Sequence, residues 1–263
     1  MMQKIRRYLP VLGAMLQADL AQFKTVFWGK LIDRFIWVST YIALMAYIMP
    51  SFGLSRDFGP FLLGGLVCSI GLLETYSSSA ALVADLEGDR TITYFLTLPI
   101  PSWLVFVRLI CYYAFHYAVL AILIIPVGNC MLPEPIRFVN VSWPRLAFIF
   151  ILINLFHGSL VVWMASMIKN MATLGKMWSR VLHPAWFLGG FQFSWQVLHA
   201  LWPKVAYVML LNPVFYSMEG MRAALLGQEG FLPYWVCCVA LSISIVLFSW
   251  LAIKRFRKRL DFV

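Results

Sequence analysis

"PRLAFIFILINLFHGSLVVWMASM", residues 144–167, decides what kind of molecule this is. Beyond Arg145 the run carries no charged side chain, and it is longer than the roughly 20 apolar residues a helix needs to cross a hydrocarbon layer. Five further stretches read the same way: 35–54, 60–83, 103–127, 181–201 and 232–253. The run 181–201 is the poorest, because it holds Pro184, Gln192, Gln196 and His199 and stops just before Pro203. The semi-apolar piece after it breaks at Asn212-Pro213. Residues 196–228 are therefore expected to enter from one side and partly turn back, which backbone does at membrane depth only when protein or a wet cavity surrounds it.

Composition agrees with lipid as the solvent. The 263 residues are 62% hydrophobic and 12% charged, against roughly 25% charged in soluble domains. The expected fold is an all-α integral membrane protein with six transmembrane helices. No short apolar core with a small-residue cleavage site opens the chain, so no removable signal peptide is expected. The five cysteines (Cys68, Cys111, Cys130, Cys237, Cys238) lack a metal-binding spacing and read as small packing residues.

Lys and Arg set the expected orientation. With six spans, both termini share a side, and fifteen of the 21 basic residues gather there. The other side receives Arg56, Arg137, Arg145, Lys204 and Arg222, while Arg108 falls inside a span. Both termini are thus expected in the cytoplasm. Residues 1–34 carry Leu9, Leu12, Leu16, Leu20, Phe23, Phe27 and Leu31 at intervals of three and four, with polar residues largely elsewhere on the wheel. That pattern predicts an amphipathic helix lying in the cytoplasmic interface. The tail "KRFRKRL" (254–260) suits anionic headgroups, so the net charge of +10 needs no nucleic acid to explain it.

Motifs for catalysis are missing. "TLGKMWS" (173–179) has Asn170 and Met177 where a phosphate loop needs Gly and Ser or Thr. Ser159, in "HGSL", lacks the flanking glycines of a nucleophile elbow. No catalytic residue, metal site or cofactor is expected on this chain. Polar residues inside the spans are more telling, since a charge in lipid needs a partner or water. Glu74 in the second span and Arg108 in the third fall at similar depth and are expected to pair with each other, or else to line a hydrophilic path. His116, Asn154 and His157 are expected to hydrogen-bond between helices. Two rival functions use these groups: an ion-coupled secondary transporter with Glu74 as proton site, and an intramembrane enzyme built on Glu74, His116 and His157. Trp186, Phe187, Phe191, Phe193 and Trp195, beside Gln192 and Gln196, read as packing, with weak scope for sugar rings.

The connection "DLEGDRTITYFLTLPIPS" (85–102) is the anomaly. Its head holds Asp85, Glu87, Asp89 and Arg90, and Pro99 and Pro101 end it. Asp89 is placed to cap a short helix whose Ile92, Phe95 and Leu96 share one face. About ten residues cannot persist alone as a helix in water, so something must hold them. The segment is net acidic on the basic side of a basic protein, which argues against lipid and for a groove on a soluble partner.

At this point the chain resembles the permease family of type-2 ATP-binding-cassette exporters (ABC-2 permeases), along most of 1–263 as a single domain. "EGDRTITYFLTLPIPSW" (87–103) looks like the family's segment after span two. "LNPVFYSMEGMRAALLG" (211–227) is similar to its Asn-Pro-x-x-Tyr…Glu-x-x-Arg…Gly stretch, here Asn212, Pro213, Tyr216, Glu219, Arg222 and Gly227. The resemblance implies a homodimer bound to two cytoplasmic ATPase subunits, which would carry the ATP and Mg. Residues 89–98 would be the coupling helix docked on the ATPase and 1–34 the interfacial gate helix. Residues 196–228 would be the outer re-entrant region, with Glu219 and Arg222 orienting or latching it, unless they form only a local ion pair on an exposed helix. The cargo implied is amphipathic or polymeric: a polysaccharide or glycolipid, a lipid, or a hydrophobic small molecule. The connection 128–143 is longer and more proline-rich than in better-known members, and 168–180 is basic rather than acidic.

Overall fold

The structure is a computed structural model that describes residues 2–55, 58–88, 91–136, 141–168 and 170–260. Five long helices build it: α1 (Met2–Ile42), α2 (Phe58–Glu87), α4 (Ser102–Met131), α5 (Trp143–Met167) and α11 (Tyr234–Leu260). Between α2 and α4 hangs α3 (Thr91–Thr97). Between α5 and α11 run α6 (Met171–Met177), α7 (His183–Phe187), α8 (Trp195–Leu201), α9 (Pro203–Met209) and α10 (Pro213–Leu225). No strand occurs among the described residues. Five helices, with α1 counted as Gly13–Phe52, are long and apolar enough to cross a membrane.

Local sequence explains most of the ends. A π turn (Ala43–Ile48) and a tight turn (Met49–Phe52) close α1, and Gly53 follows at φ 95°, a conformation L side chains rarely adopt. Pro101 precedes α4 in extended conformation. The side chains of Asn170, Ser194 and Asn212 accept the first free amides of α6, α8 and α10.

Cross-contacts order the helices. The Tyr234 hydroxyl donates to the Arg145 carbonyl, at the start of both α11 and α5, while Arg255 touches Met167 at their other ends. These two helices therefore run parallel. Phe23 rests on His116 at 4.5 Å between rings, and Ser39 Oγ meets Met131 Sδ at 3.5 Å, so α1 runs parallel to α4. Between the ends of α5 and the start of α11 the chain must return along the bundle. It does so in pieces: Trp178 packs on Tyr76, Trp186 Nε1 donates to Ser69 Oγ at 2.8 Å, and Phe191 lies against Gly65. The run 181–201 is thus not one span-length helix. It holds α7, a turn with Gly190 at φ 77°, and α8, because Pro184, Gly189 and Gly190 interrupt the backbone ladder.

The expected interfacial helix over 1–34 is corrected. One unbroken helix leads from Met2 into the first apolar run, and residues 23–39 stand beside 116–131 of α4 rather than lying across its end. The amphipathic pattern is real, but its inner face meets other helices instead of headgroups.

Where α4 crosses α5, Gly158 has no room for a side chain. An added Cβ would sit 2.5 Å from the Ile110 carbonyl oxygen and 3.2 Å from the Ala114 nitrogen, both backbone atoms that cannot swing away. Gly158→Ala is expected to cost about 1–3 kcal/mol, the scale of core overpacking, read as a lowered melting temperature in detergent.

Candidate functional site

The end of the bundle that gathers α3, the last turns of α2, α5 and α11 and the first half of α1 is also the basic end. There, Asp85 in the last turn of α2 reaches over to α3: its Oδ1 accepts the Thr91 N–H and its Oδ2 the Ile92 N–H, both at 3.0 Å. A carboxylate at the amide end of a helix satisfies free donors and complements the dipole. Asp85 thus does the capping expected of Asp89; Asp89 and Arg90 lie outside the described residues. Glu87 is exposed beside it.

The face expected to meet a partner turns inward. Ile92 is buried with Leu82, Val83, Leu109 and Tyr113, and Phe95 and Leu96 pack around Met15, Ile100 and Val105. Phe95 also lies 4.3 Å from the Arg108 guanidinium, ring face to cation. Ile92, Phe95 and Leu96 are therefore apolar because they hold α3 on α1, α2 and α4. The outward face is Thr91, Tyr94 and Thr97, with Tyr94 62% exposed.

Beneath α3, Arg108 does not pair with Glu74. It grips Asp19 of α1 with two nitrogens, Nε to Oδ2 at 2.8 Å and Nη2 to Oδ1. Both side chains are almost fully buried. Glu74 instead receives Lys30 Nζ at 2.5 Å and Arg34 Nε at 2.9 Å. Each buried charge in α2 and α4 thus finds its counter-ion on α1, which the upright α1 makes possible. The sequence held a signal for this: Lys30 and Arg34 are one helical turn apart, so both face one point. Asp19, Lys30 and Arg34 are the functional-site partners that a helix read as interfacial conceals. A cavity of about 250 Å³ lies between these elements, lined by Asp19, Gln22, Asp85, Thr91, Phe95 and Arg108 among others.

The other intramembrane residues do not bond between helices as expected. Asn154 Nδ2 donates to Phe150 O in its own helix at 2.7 Å. The ring nitrogens of His116 and His157 find no hydrogen-bond partner among the described residues. His116 packs on Phe23, and His157 fills the space that Gly71 leaves by lacking a Cβ. Glu74, His116 and His157 line none of the cavities described here, and Glu74 is engaged by two cations. Among the described residues no three His, Cys, Asp or Glu side chains gather to hold a metal.

At the opposite end, α10 is locked into the bundle. Asn212 Nδ2 donates to Ala185 O at 2.7 Å, Pro213 opens the helix, and Tyr216 packs half-buried on the core. Arg222 is fully buried and donates to three carbonyls: Phe61 at 3.1 Å, Gly190 at 2.6 Å and Phe191 at 2.7 Å. Its guanidinium carbon lies 3.6 Å from the centre of the Phe61 ring. Glu219, also fully buried, accepts the Trp195 N–H at 3.3 Å and the Leu232 N–H at 2.9 Å, with Arg222 at 4.0 Å. This pair is no exposed local ion pair: it ties α2, the Gly190 turn, α8 and the lead-in to α11 to one helix. Beside it, Phe58, Phe61, Phe193, Phe231 and Gln192 line a shallow cavity of about 430 Å³.

No protein-family model matches the chain, and no curated protein matches it.

Proposed function

We propose that this chain is the transmembrane permease subunit of an ATP-driven exporter of the ABC-2 type, working as two copies with two cytoplasmic ATPase subunits. The observation that carries this reading is α3. A seven-residue helix is too short to hold itself, yet this one is fastened on its inner side to α1, α2 and α4 and left open on its outer side. A push on Tyr94 from outside passes through Phe95 and Arg108 to Asp19, and through Asp85 to α2. That is the mechanical requirement for a motor subunit that must move membrane helices without touching them.

On this reading the basic end faces the cytoplasm of a bacterial inner membrane, in line with the distribution of Lys and Arg. Five long helices and the broken crossing over 171–191 make six passages, and α8 to α10 form the outer re-entrant region. ATP hydrolysis belongs to the partner. The cargo is amphipathic or polymeric, by the resemblance of the two motif stretches alone.

The outward face of α3 is the place to test. Tyr94→Asp is expected to reduce recovery of the cognate ATPase in co-purification at least tenfold while the permease inserts and melts as wild type. Phe95→Asp is expected instead to lower the melting temperature of the permease itself, because it places a second carboxylate beside Asp19 and removes the cover from Arg108. Unchanged ATPase recovery with Tyr94→Asp sinks the docking assignment.

A further inference from the structure

The connection from α5 to α7 is basic without relief. Between Glu134 and Glu219 the sequence has no carboxylate, and Lys169, Lys176 and Arg180 follow one another through the connection. Lys176 sits in the last turn of α6 and Arg180 in the π turn that continues it (Trp178–Leu182), so the two are neighbours at i and i+4. Both are exposed, and neither has a carboxylate within salt-bridge reach among the described residues. They flank a cavity of about 280 Å³ whose other walls are mostly apolar: Met167 at the end of α5, Met177 and Val181, with Thr173 beside the cations. A third cation reaches its edge, because Arg255 of α11 rests its guanidinium on the Met167 sulfur, a weak acceptor. No carboxylate among the described residues lines this hollow.

Its level in the bundle bears on what could fill it. The last residue of α5 and the last turns of α11 meet there, where two long apolar helices end. Trp250 of α11 is 56% exposed, and Lys254, one turn on, sets its ammonium 5.1 Å from the ring centre. A Trp followed by Lys marks the depth at which headgroups meet acyl chains. From the hollow, exposed apolar side chains continue along the return crossing: Val181 at the rim, then Phe187 and Leu188. An acidic soluble partner would answer the cations and leave that apolar continuation uncovered. A phospholipid answers both, with a phosphate at one end and a chain at the other.

We infer that this cavity is a site for the headgroup of an anionic phospholipid from the leaflet at the basic end. Lys176 and Arg180 donate to the phosphate oxygens, Arg255 stands at the third side, and an acyl chain runs over Val181 toward Leu188. The site bears on the fold as well. Trp178, between the two cations in sequence, packs on Tyr76 of α2, so a bound lipid holds the start of the broken crossing against the bundle. The inference goes beyond the exporter reading: it needs a membrane, and neither an ATPase nor a cargo.

The full chain purified in detergent is the material for the test, with phosphatidylglycerol as the probe. Retained lipid is read by native mass spectrometry, and stability by the melting temperature. Wild type is expected to keep phosphatidylglycerol in preference to phosphatidylcholine and to melt higher with it. The double variant Lys176→Gln, Arg180→Gln is expected to weaken retention roughly tenfold or more. Its melting temperature without lipid should equal that of wild type. A control pair on the tail, Arg257→Gln with Lys258→Gln, exposed and outside the cavity, should retain the lipid. Inorganic phosphate should not raise the melting temperature. Equal loss in the tail pair would mean diffuse attraction, and stabilisation by inorganic phosphate would mean a free-anion site. A double variant that keeps the lipid but loses the cognate ATPase would mean a protein docking face. Each of these three results would overturn the inference.

Discussion

Arg222→Ala is expected to be the most damaging single change in the molecule. It strips the partner from three carbonyls at once, the buried ones of Gly190 and Phe191 and the half-buried one of Phe61. Removing one side of a buried charged network costs about 3–5 kcal/mol, because the groups left behind stay desolvated and unpaired. The damage should begin locally. Arg222 is what ties the Gly190 turn to α2, so hydrogen exchange is expected to rise first over residues 188–194 and at the start of α8. Gly64 and Gly65 exist to seat this side chain: a Cβ at Gly64 would lie 2.9 Å from Arg222 Cγ, and one at Gly65 would lie 2.8 Å from Arg222 Nη2. Gly65→Ala is therefore expected to reproduce a milder form of the same defect. Arg222→Lys should not rescue it, since one ammonium cannot span three carbonyls as a planar fork does. A melting temperature within a degree or two of wild type for Arg222→Ala would show that the turn is held by something else.

Glu74→Leu comes next, through a different imbalance. Glu74 is fully buried and is the one carboxylate that Lys30 and Arg34 share, so its loss strips both half-buried cations of their partner. The expected cost is again about 3–5 kcal/mol. The ordering of variants distinguishes a coupled cluster from independent pairs. Lys30→Met alone should be mild, because Arg34 still balances Glu74; Arg34→Met alone should be mild for the same reason. The triple change to Leu or Met at all three positions should recover most of the stability lost in Glu74→Leu, since no charge is then stranded. Thermal melts of the detergent-solubilised single chain give the comparison. Equal losses for all three single changes would mean that the cations do not share Glu74.

Both predictions turn on contacts that the amino-acid pattern only half discloses. Glu74 and Arg108 stand out in sequence because each is a charge inside an apolar run, and opposite signs at similar depth invite pairing with each other. The structure gives each a different partner on α1. The amphipathic wheel of residues 1–34 explains why that was hidden: one apolar stripe flanked by charge serves a helix lying on headgroups and a helix standing against α2 and α4 equally well. Ile92, Phe95 and Leu96 show the same ambiguity, since an apolar face says that it will be covered but not by what. The Asn212-Pro213 to Gly227 stretch was the better guide, because Asn212 as cap, Pro213 at the first turn and Gly227 at φ 104° each follow from local backbone chemistry.

What sequence alone determined about this protein is its solvent, its secondary structure class and its basic end. Hydropathy and charge are sums over single residues, and a helix of some 20 apolar residues needs no neighbour to be recognised. Prolines are likewise local, so the stop at Pro99 and Pro101 and the break at Asn212-Pro213 were legible too. Only the tertiary structure decided that α1 stands upright, that Asp19, Lys30 and Arg34 answer Arg108 and Glu74, that α3 shows Tyr94 rather than Phe95 to the outside, and that Arg222 closes the Gly190 turn. Those are pairings, and a pairing depends on which helices become neighbours, which is a property of the packed bundle and not of any one segment.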